Sequence, residues 1–220
     1  QYERRNISYF GRMNYDYKGK YLASFTARRD GSMAFGPDNK YANFFSGSAG
    51  WLVNREDFFH SELINTLKIR GSYGTVGNEN VSPSFVSIIT GGPSYGSTAN
   101  SNGYTFGGVF YPGSTVGSVA NTALRWEEQT QFNVGFDLSM AKNKLSLSAD
   151  YFQKKVKGLL FQDRLSLYIG TLPPPDANIG TTKSSGVDIS LSYNETIGNN
   201  FKLGNSLTFT TSKNEVISTN

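Results

Sequence analysis

The sequence predicts an all-β protein, an antiparallel up-and-down transmembrane β-barrel of which about eight strands are present, and three observations carry that prediction. Apolar and polar side chains alternate over long runs, short and long connections alternate between those runs, and 24 Gly, 13 Tyr and 16 Phe accompany only 17% charged residues. Period-two alternation sends successive side chains to opposite faces of a strand. A strand that crosses a bilayer needs only about 10 residues with every second one apolar, so 37% hydrophobic content is enough. No apolar run approaches the roughly 20 residues that a spanning helix requires.

Taken in order, the first run sets Ile7, Tyr9, Met13, Tyr15 and Tyr17 on one face, and Lys18-Gly19-Lys20 then makes a tight turn. Tyr21, Ala23, Phe25 and Ala27 form the apolar face of the second strand, and a long segment, Asp30 to Phe44, follows. A third strand carries Phe45, Ala49, Trp51 and Val53. In the connection Asn54 to Thr66, Glu56-Asp57 before Phe58, Phe59, Leu63 and Ile64 predicts a short helix with acids at its amino end. A fourth strand has Leu67, Ile69 and Tyr73, and from Asn78 to Ala123 runs a segment rich in Gly, Ser, Asn and Tyr. Its aromatics Tyr95, Tyr104, Phe106, Phe110 and Tyr111 favour an ordered surface loop over a bare linker.

The clearest strand is Leu124 to Met140. Leu124, Trp126, Thr130, Phe132, Val134, Phe136, Leu138 and Met140 share a face interrupted only by Glu128, opposite Arg125, Glu127, Gln129, Gln131, Asn133, Gly135, Asp137 and Ser139. Strands of soluble sandwiches average about 5 or 6 residues, so this length favours a tilted membrane strand. Ala141 to Asn143 turns the chain into Leu145, Leu147, Ala149 and Tyr151, and Lys157 to Lys183 is again long, stiffened by Leu172-Pro173-Pro174-Pro175. Val187, Ile189, Leu191 and Tyr193, the turn Ile197 to Asn200, and Phe201, Leu203, Leu207 and Phe209 complete the count. Tight turns on one side and long loops on the other are the order expected of outer-membrane barrels.

The residues exclude several chemistries. His60 is the only histidine and cysteine is absent, which leaves no thiolate and little scope for a catalytic triad or a histidine-based metal site. Glu127 and Glu128 are adjacent on a strand and point to opposite faces, so they cannot share a hydrolytic site. No phosphate loop or dinucleotide fingerprint occurs. The net charge of +4 is spread along the chain and forms no basic face for nucleic acid. No catalytic, cofactor or metal site is therefore expected. The polar positions Arg28, Arg70, Arg125, Glu127, Gln129 and Asp188 are expected to line a wet interior, and Tyr17, Tyr21, Trp51, Trp126 and Tyr151 to stand in the interfacial aromatic girdles.

A series of segments resembles the barrel of the SusC/RagA family of TonB-linked outer-membrane transporters. It is carried by Gly11 to Tyr21, by Arg28-Arg29-Asp30-Gly31-Ser32 with Phe35-Gly36, and by Lys40-Tyr41 leading to Ser48-Ala49-Gly50-Trp51. It continues through Leu67 to Gly74 with Gly77-Asn78, Leu124-Arg125-Trp126-Glu127, Asp150-Tyr151-Phe152 with Lys157 to Leu160, and Asn178-Ile179-Gly180 leading to Gly186-Val187. Each is a weak signal; their order and spacing together are specific. The resemblance implies that residues 1–220 are part of a larger barrel domain in the bacterial outer membrane, with signal peptide, plug and remaining strands outside this chain. It also implies a plug energised through TonB, a SusD-like surface lipoprotein as partner, and import of oligosaccharides or peptides, with outer-membrane lipid around the barrel. Asn220 follows a strand without the terminal aromatic such barrels carry, which fits an excised stretch. Two alternatives stand beside this reading: a complete small barrel acting as an adhesin or surface binding protein, and a soluble carbohydrate-binding sandwich.

Overall fold

Among the described residues fourteen strands account for most of the chain, and eight of them form one antiparallel sheet. In this computed structural model residues 5–80, 88–91, 103–118, 120–162, 174–197 and 201–219 are described. The strands are β1 (Asn6–Tyr17), β2 (Tyr21–Ser32), β3 (Tyr41–Leu52), β4 (Ile64–Asn78), β5 (Ile88–Gly91), β6 (Gly103–Phe106), β7 (Val109–Pro112), β8 (Ser114–Ser118), β9 (Glu127–Met140), β10 (Leu145–Lys157), β11 (Leu160–Gln162), β12 (Asp176–Asn178), β13 (Thr181–Ile197) and β14 (Phe201–Ser218). The large sheet runs β1-β2-β3-β4-β9-β10-β13-β14, and the remaining strands make three short antiparallel pairs in the long connections. The sheet is open, with β1 and β14 at its edges.

Register shows how the alternation is used. Residues directly opposite in an antiparallel pair share a face, so one row reads Tyr15, Ala23, Ala49, Gly71, Val134, Tyr151 and Val187 across seven strands. The next row reads Arg70, Gly135, Asp150, Asp188 and Thr210. One face is thus mainly apolar and aromatic, and the other mainly polar, over the middle of the sheet.

Among the described residues no second layer covers the apolar face. Among the described residues only Ala34, Phe35, Phe44, Val53, Leu124 and Val156 are buried hydrophobics, whereas Phe25, Tyr73 and Phe132 are 48%, 57% and 41% exposed. A soluble domain of this size would bury most such side chains against another layer. A sandwich would require a second sheet across this face, and the described residues form one large sheet and three short pairs.

The tight turns follow backbone chemistry. At Tyr17–Lys20 the amide of Lys20 donates to the Tyr17 carbonyl at 3.0 Å, with positive φ at Lys18 and Gly19, the mark of a type I′ hairpin whose twist suits its strands. Asp16 Oδ1 accepts from the Gly19 amide at 2.7 Å. Ala141, Lys142 and Asn143 all have positive φ in the β9–β10 turn.

Three expectations are corrected. The connection after β3 holds a 3-10 turn at Val53–Arg55 and no helix at the acids, because Glu56 is extended and its carboxylate is taken up by strand residues. β2 runs on to Ser32 and β3 begins at Tyr41, so that loop is shorter than the run Asp30 to Phe44. β9 begins at Glu127: Leu124 is 0% exposed and packs with Ala34 and Phe35, which takes it off the strand face. The loop readings at Tyr95, Leu172 and Pro173 lie outside the described residues, as do those at Gly198 to Asn200.

Candidate functional site

The polar face is the candidate site, and its centre is an ion network spanning three strands. Arg70 Nε on β4 donates to Asp137 Oδ2 on β9 at 3.0 Å, and its Nη2 donates to Asp150 Oδ2 on β10 at 2.6 Å. The same Nη2 lies 3.2 Å from Ser148 Oγ, and Ser148 in turn donates to Asp137 Oδ1 at 2.8 Å. Arg70 reaches a strand that is not its neighbour because Gly135 lies between Arg70 and Asp150 in the row. A Cβ at Gly135 would stand 2.5 Å from the Ala149 carbonyl and would collide with Asp150 Oδ1. The planar guanidinium suits this arrangement, since its fork of donors can satisfy two carboxylates at once.

Of the residues singled out in the sequence, Arg70 and Asp188 share this row, with Asp188 one strand beyond Asp150. The others lie nearer the long connections. Arg28 pairs with Asp30 at 3.2 Å. Glu127 accepts from Asn78 Nδ2 at 3.2 Å and from the Leu160 amide at 3.3 Å. Gln129 shares a row with Val76 and Val156. Arg125 precedes β9 with an exposed side chain, its backbone held by Asn178 Oδ1 at 2.8 Å and Nδ2 at 2.7 Å. Asp137, Ser148 and Asp150 do not stand out in the sequence, although each sits on the polar face of a legible strand; only the register across β4, β9 and β10 brings them to Arg70.

The aromatic positions divide into two groups. Tyr17, Tyr21 and Trp51 gather on the apolar face beside the short turns, with Tyr17–Tyr21 centroids 6.4 Å apart and Tyr21 stacked on Trp51 at 6.5 Å. Glu56 ties this group to the turn. It accepts from the Tyr21 hydroxyl at 2.6 Å, the Trp51 indole at 2.9 Å and Lys20 Nζ at 3.1 Å. The Tyr21 hydroxyl first, then the Trp51 indole, hold its carboxyl down to about 2. Glu195 repeats the device, accepting from Lys144 Nζ and the Tyr193 hydroxyl.

Tyr151 stands on the apolar face farther toward the long connections. Trp126 lies just ahead of β9 and packs against Phe35 at 5.1 Å and Phe44 at 5.8 Å, its indole donating to the Lys40 carbonyl at 3.4 Å. With Ala34, Leu124 and Leu160 it makes the buried cluster that roots the long connections.

Among the described residues no group of His, Asp and Glu could hold a metal ion. The Arg70 network is a hydrogen-bonded wall, in which the Asp137 carboxylate that accepts from Ser148 is also engaged by Arg70.

Comparison with known proteins gives the family of the chain. The family described as TonB dependent receptor-like, beta-barrel matches residues 1–220. TonB-dependent receptor P3 of Formosa agariphila is 34% identical over 212 residues, which is 96% of this chain and 20% of that protein. TonB-dependent receptor SusC of Bacteroides thetaiotaomicron is 29% identical over 98% of this chain and 21% of its own length. A solved structure of the RagAB peptide transporter superposes with a TM-score of 0.84 at 25% identity, over 98% of this chain and 23% of that one. The chain therefore spans about a fifth of the length of these relatives.

Proposed function

Because this chain belongs to the TonB-dependent receptor β-barrel family and is of the SusC/RagA type, we propose that it is a section of the barrel wall of an outer-membrane importer of oligosaccharides or peptides. Its strands lie in the bacterial outer membrane, apolar face to lipid. The single observation that carries the reading is the two-faced sheet: eight strands with aromatics and aliphatics on one side, and the Arg70–Asp137–Asp150 wall on the other.

In this reading Arg28, Arg70, Arg125, Glu127, Gln129 and Asp188 belong to the lumen wall, Tyr17, Tyr21, Trp51 and Tyr151 to the two interfacial belts, and Trp126 to the cluster beneath the long connections. The wall does no bond chemistry. A lumen lined by fixed charges and amides stays wet, so a plug can move against it and a ligand caught at the loops can be released inward. The chain covers only part of such a machine. A plug coupled to TonB and a SusD-like surface lipoprotein complete it, and the peptide named for the RagAB structures makes peptides one of two substrate classes to try.

Uptake is the test. Bacteria lacking the full-length protein, and bacteria carrying it without its TonB-contacting segment, are grown on defined oligosaccharide or peptide mixtures as sole carbon source. Selective loss of growth on one class, restored by the intact gene, together with co-purification of a surface lipoprotein, is the expected result. Unchanged uptake with loss of surface attachment would return the protein to the adhesin alternative.

A further inference from the structure

The face that carries the aliphatic and aromatic band does not stay apolar to the ends of the strands. On β10 the apolar series Leu145, Leu147, Ala149 and Tyr151 is followed, on the same face, by Gln153, Lys155 and Lys157. On β13 the series read from the turn is Tyr193, Leu191, Ile189 and Val187, then Ser185 and Lys183. On β14 Leu207 and Phe209 give way to Thr211, Lys213 and Glu215. Pairing aligns these positions: Lys155 is opposite Lys183, Lys183 opposite Glu215, Ser185 opposite Lys213, and Lys157 opposite Glu128. Four lysines and two glutamates thus gather on three neighbouring strands and the adjacent start of β9, directly beyond Tyr151. Lys213 and Lys157 are exposed, and Lys155 and Lys183 half-buried.

This patch is outside the barrel at the end that carries the long connections. Were it in hydrocarbon, each lysine would cost several kcal/mol of desolvation, so the positions mark where hydrocarbon stops. At about 3.3 Å per residue, Lys155 lies roughly 13 Å along the strand from Tyr151, or about 10 Å higher once a strand tilt near 40° is allowed for. That is just beyond the headgroup layer, which adds roughly 5–8 Å on each side of the hydrocarbon core, so an ammonium on a stem directed back along the strand comes level with it. Lysine stems can lie along the apolar band while their ammonium groups reach that layer. At the turn end Lys20 and Lys144 are matched by Glu56 and Glu195; here Glu215 pairs with Lys213, and Lys155, Lys157 and Lys183 supply the excess positive charge.

We propose that Lys155, Lys157, Lys183 and Lys213 form a binding site on the outer surface of the barrel for the phosphate groups of an anionic lipid of the outer leaflet. The inference rests on the reading of the apolar face as the lipid face and of the long connections as extracellular. Excess positive charge meets phosphate at the headgroup layer, and lysines on two neighbouring strands, with Lys213 held by Glu215 on a third, let one headgroup be touched from several sides.

Native mass spectrometry of the detergent-purified full-length protein, with diphosphoryl lipid A added, reads the site. Lys155→Gln with Lys183→Gln is expected to weaken retention of lipid A roughly ten-fold or more, while Lys18→Gln with Lys142→Gln at the turn end leaves it unchanged. Lipid A stripped of its phosphates should bind the wild type and the Lys155/Lys183 variant equally and weakly. Undiminished retention by that variant overturns the proposal, and so does loss of a co-purifying lipoprotein with lipid A retained, which would make the patch a protein interface. A Phe136→Cys variant labelled in intact outer membranes by a membrane-impermeant maleimide would instead show that the face meets water. That outcome sinks the underlying reading and is distinct from failure of the lipid site.

Discussion

Arg70 is the residue on which the polar face is organised, since one guanidinium serves carboxylates on two different strands and a glycine between them gives it passage. Removing it leaves Asp137 and Asp150 without their shared cation. Arg70→Met is expected to lower the stability of the full-length barrel by about 1–3 kcal/mol, the usual cost of leaving a partly desolvated polar group without its partner. Arg70→Lys should recover only part of that loss, because an ammonium is a point charge and cannot fork between two carboxylates. Urea-unfolding midpoints of the three proteins in detergent decide it; full recovery by lysine would show that charge alone matters here. None of this could be read at Arg70 by itself. Alternation marks Arg70, Asp137 and Asp150 as polar-face positions, but which of the strand's polar residues lie abreast depends on a register that turns and bulges set over distances of 67 and 80 residues.

At the scale of the strand, the alternation itself was legible because lipid on one side and water on the other impose the same period along every strand. β9 illustrates both the strength and the limit of that signal. Phe132, Val134, Phe136 and Leu138 do share a face, whereas Leu124 and Trp126 continue the same period only by coincidence, having left the strand to pack with Phe35. Phe136→Arg, on the turn side of the Tyr151 row, is expected to cost roughly 2–4 kcal/mol, and Asn133→Arg to be tolerated; equal damage in a folding titration would contradict the assignment of faces. The turn after β3 departs from expectation for a related reason. Acids ahead of an apolar stretch resemble a helix start, but Glu56 is engaged by Tyr21, Trp51 and Lys20, partners supplied by other strands and their turn. Its lowered carboxyl gives a pH signature. A depressed acid stabilises the fold fully above its free value near 4.5 and loses that contribution as pH falls toward about 2. The thermal midpoint of the wild type should therefore drop between pH 4.5 and 2 by more than that of Glu56→Gln; parallel curves would show that the aromatic group stands without the carboxylate.

The whole sheet poses a problem that no residue or strand can solve alone. β1 and β14 present open edges, and a row of unpaired amides and carbonyls in hydrocarbon costs several kcal/mol for each group, so only closed barrels persist there. The face that lipid would cover is likewise uncovered in water: Tyr9, Met13, Phe25, Tyr73, Leu207 and Phe209 are all around half exposed or more. Relatives some five times longer supply the physical answer, since further strands can meet both edges. Residues 1–220 produced alone and refolded into detergent are accordingly expected to show β-rich circular dichroism but no heat-modifiable, protease-resistant monomer, and to associate through their edges. The same segment within the full-length protein should resist protease throughout the eight strands while the long connections are cut first. A discrete, protease-resistant monomer from the 220 residues would mean that these strands can close on themselves. The reading as a section of a larger barrel would then give way to a small complete barrel, with its long connections as the binding surface.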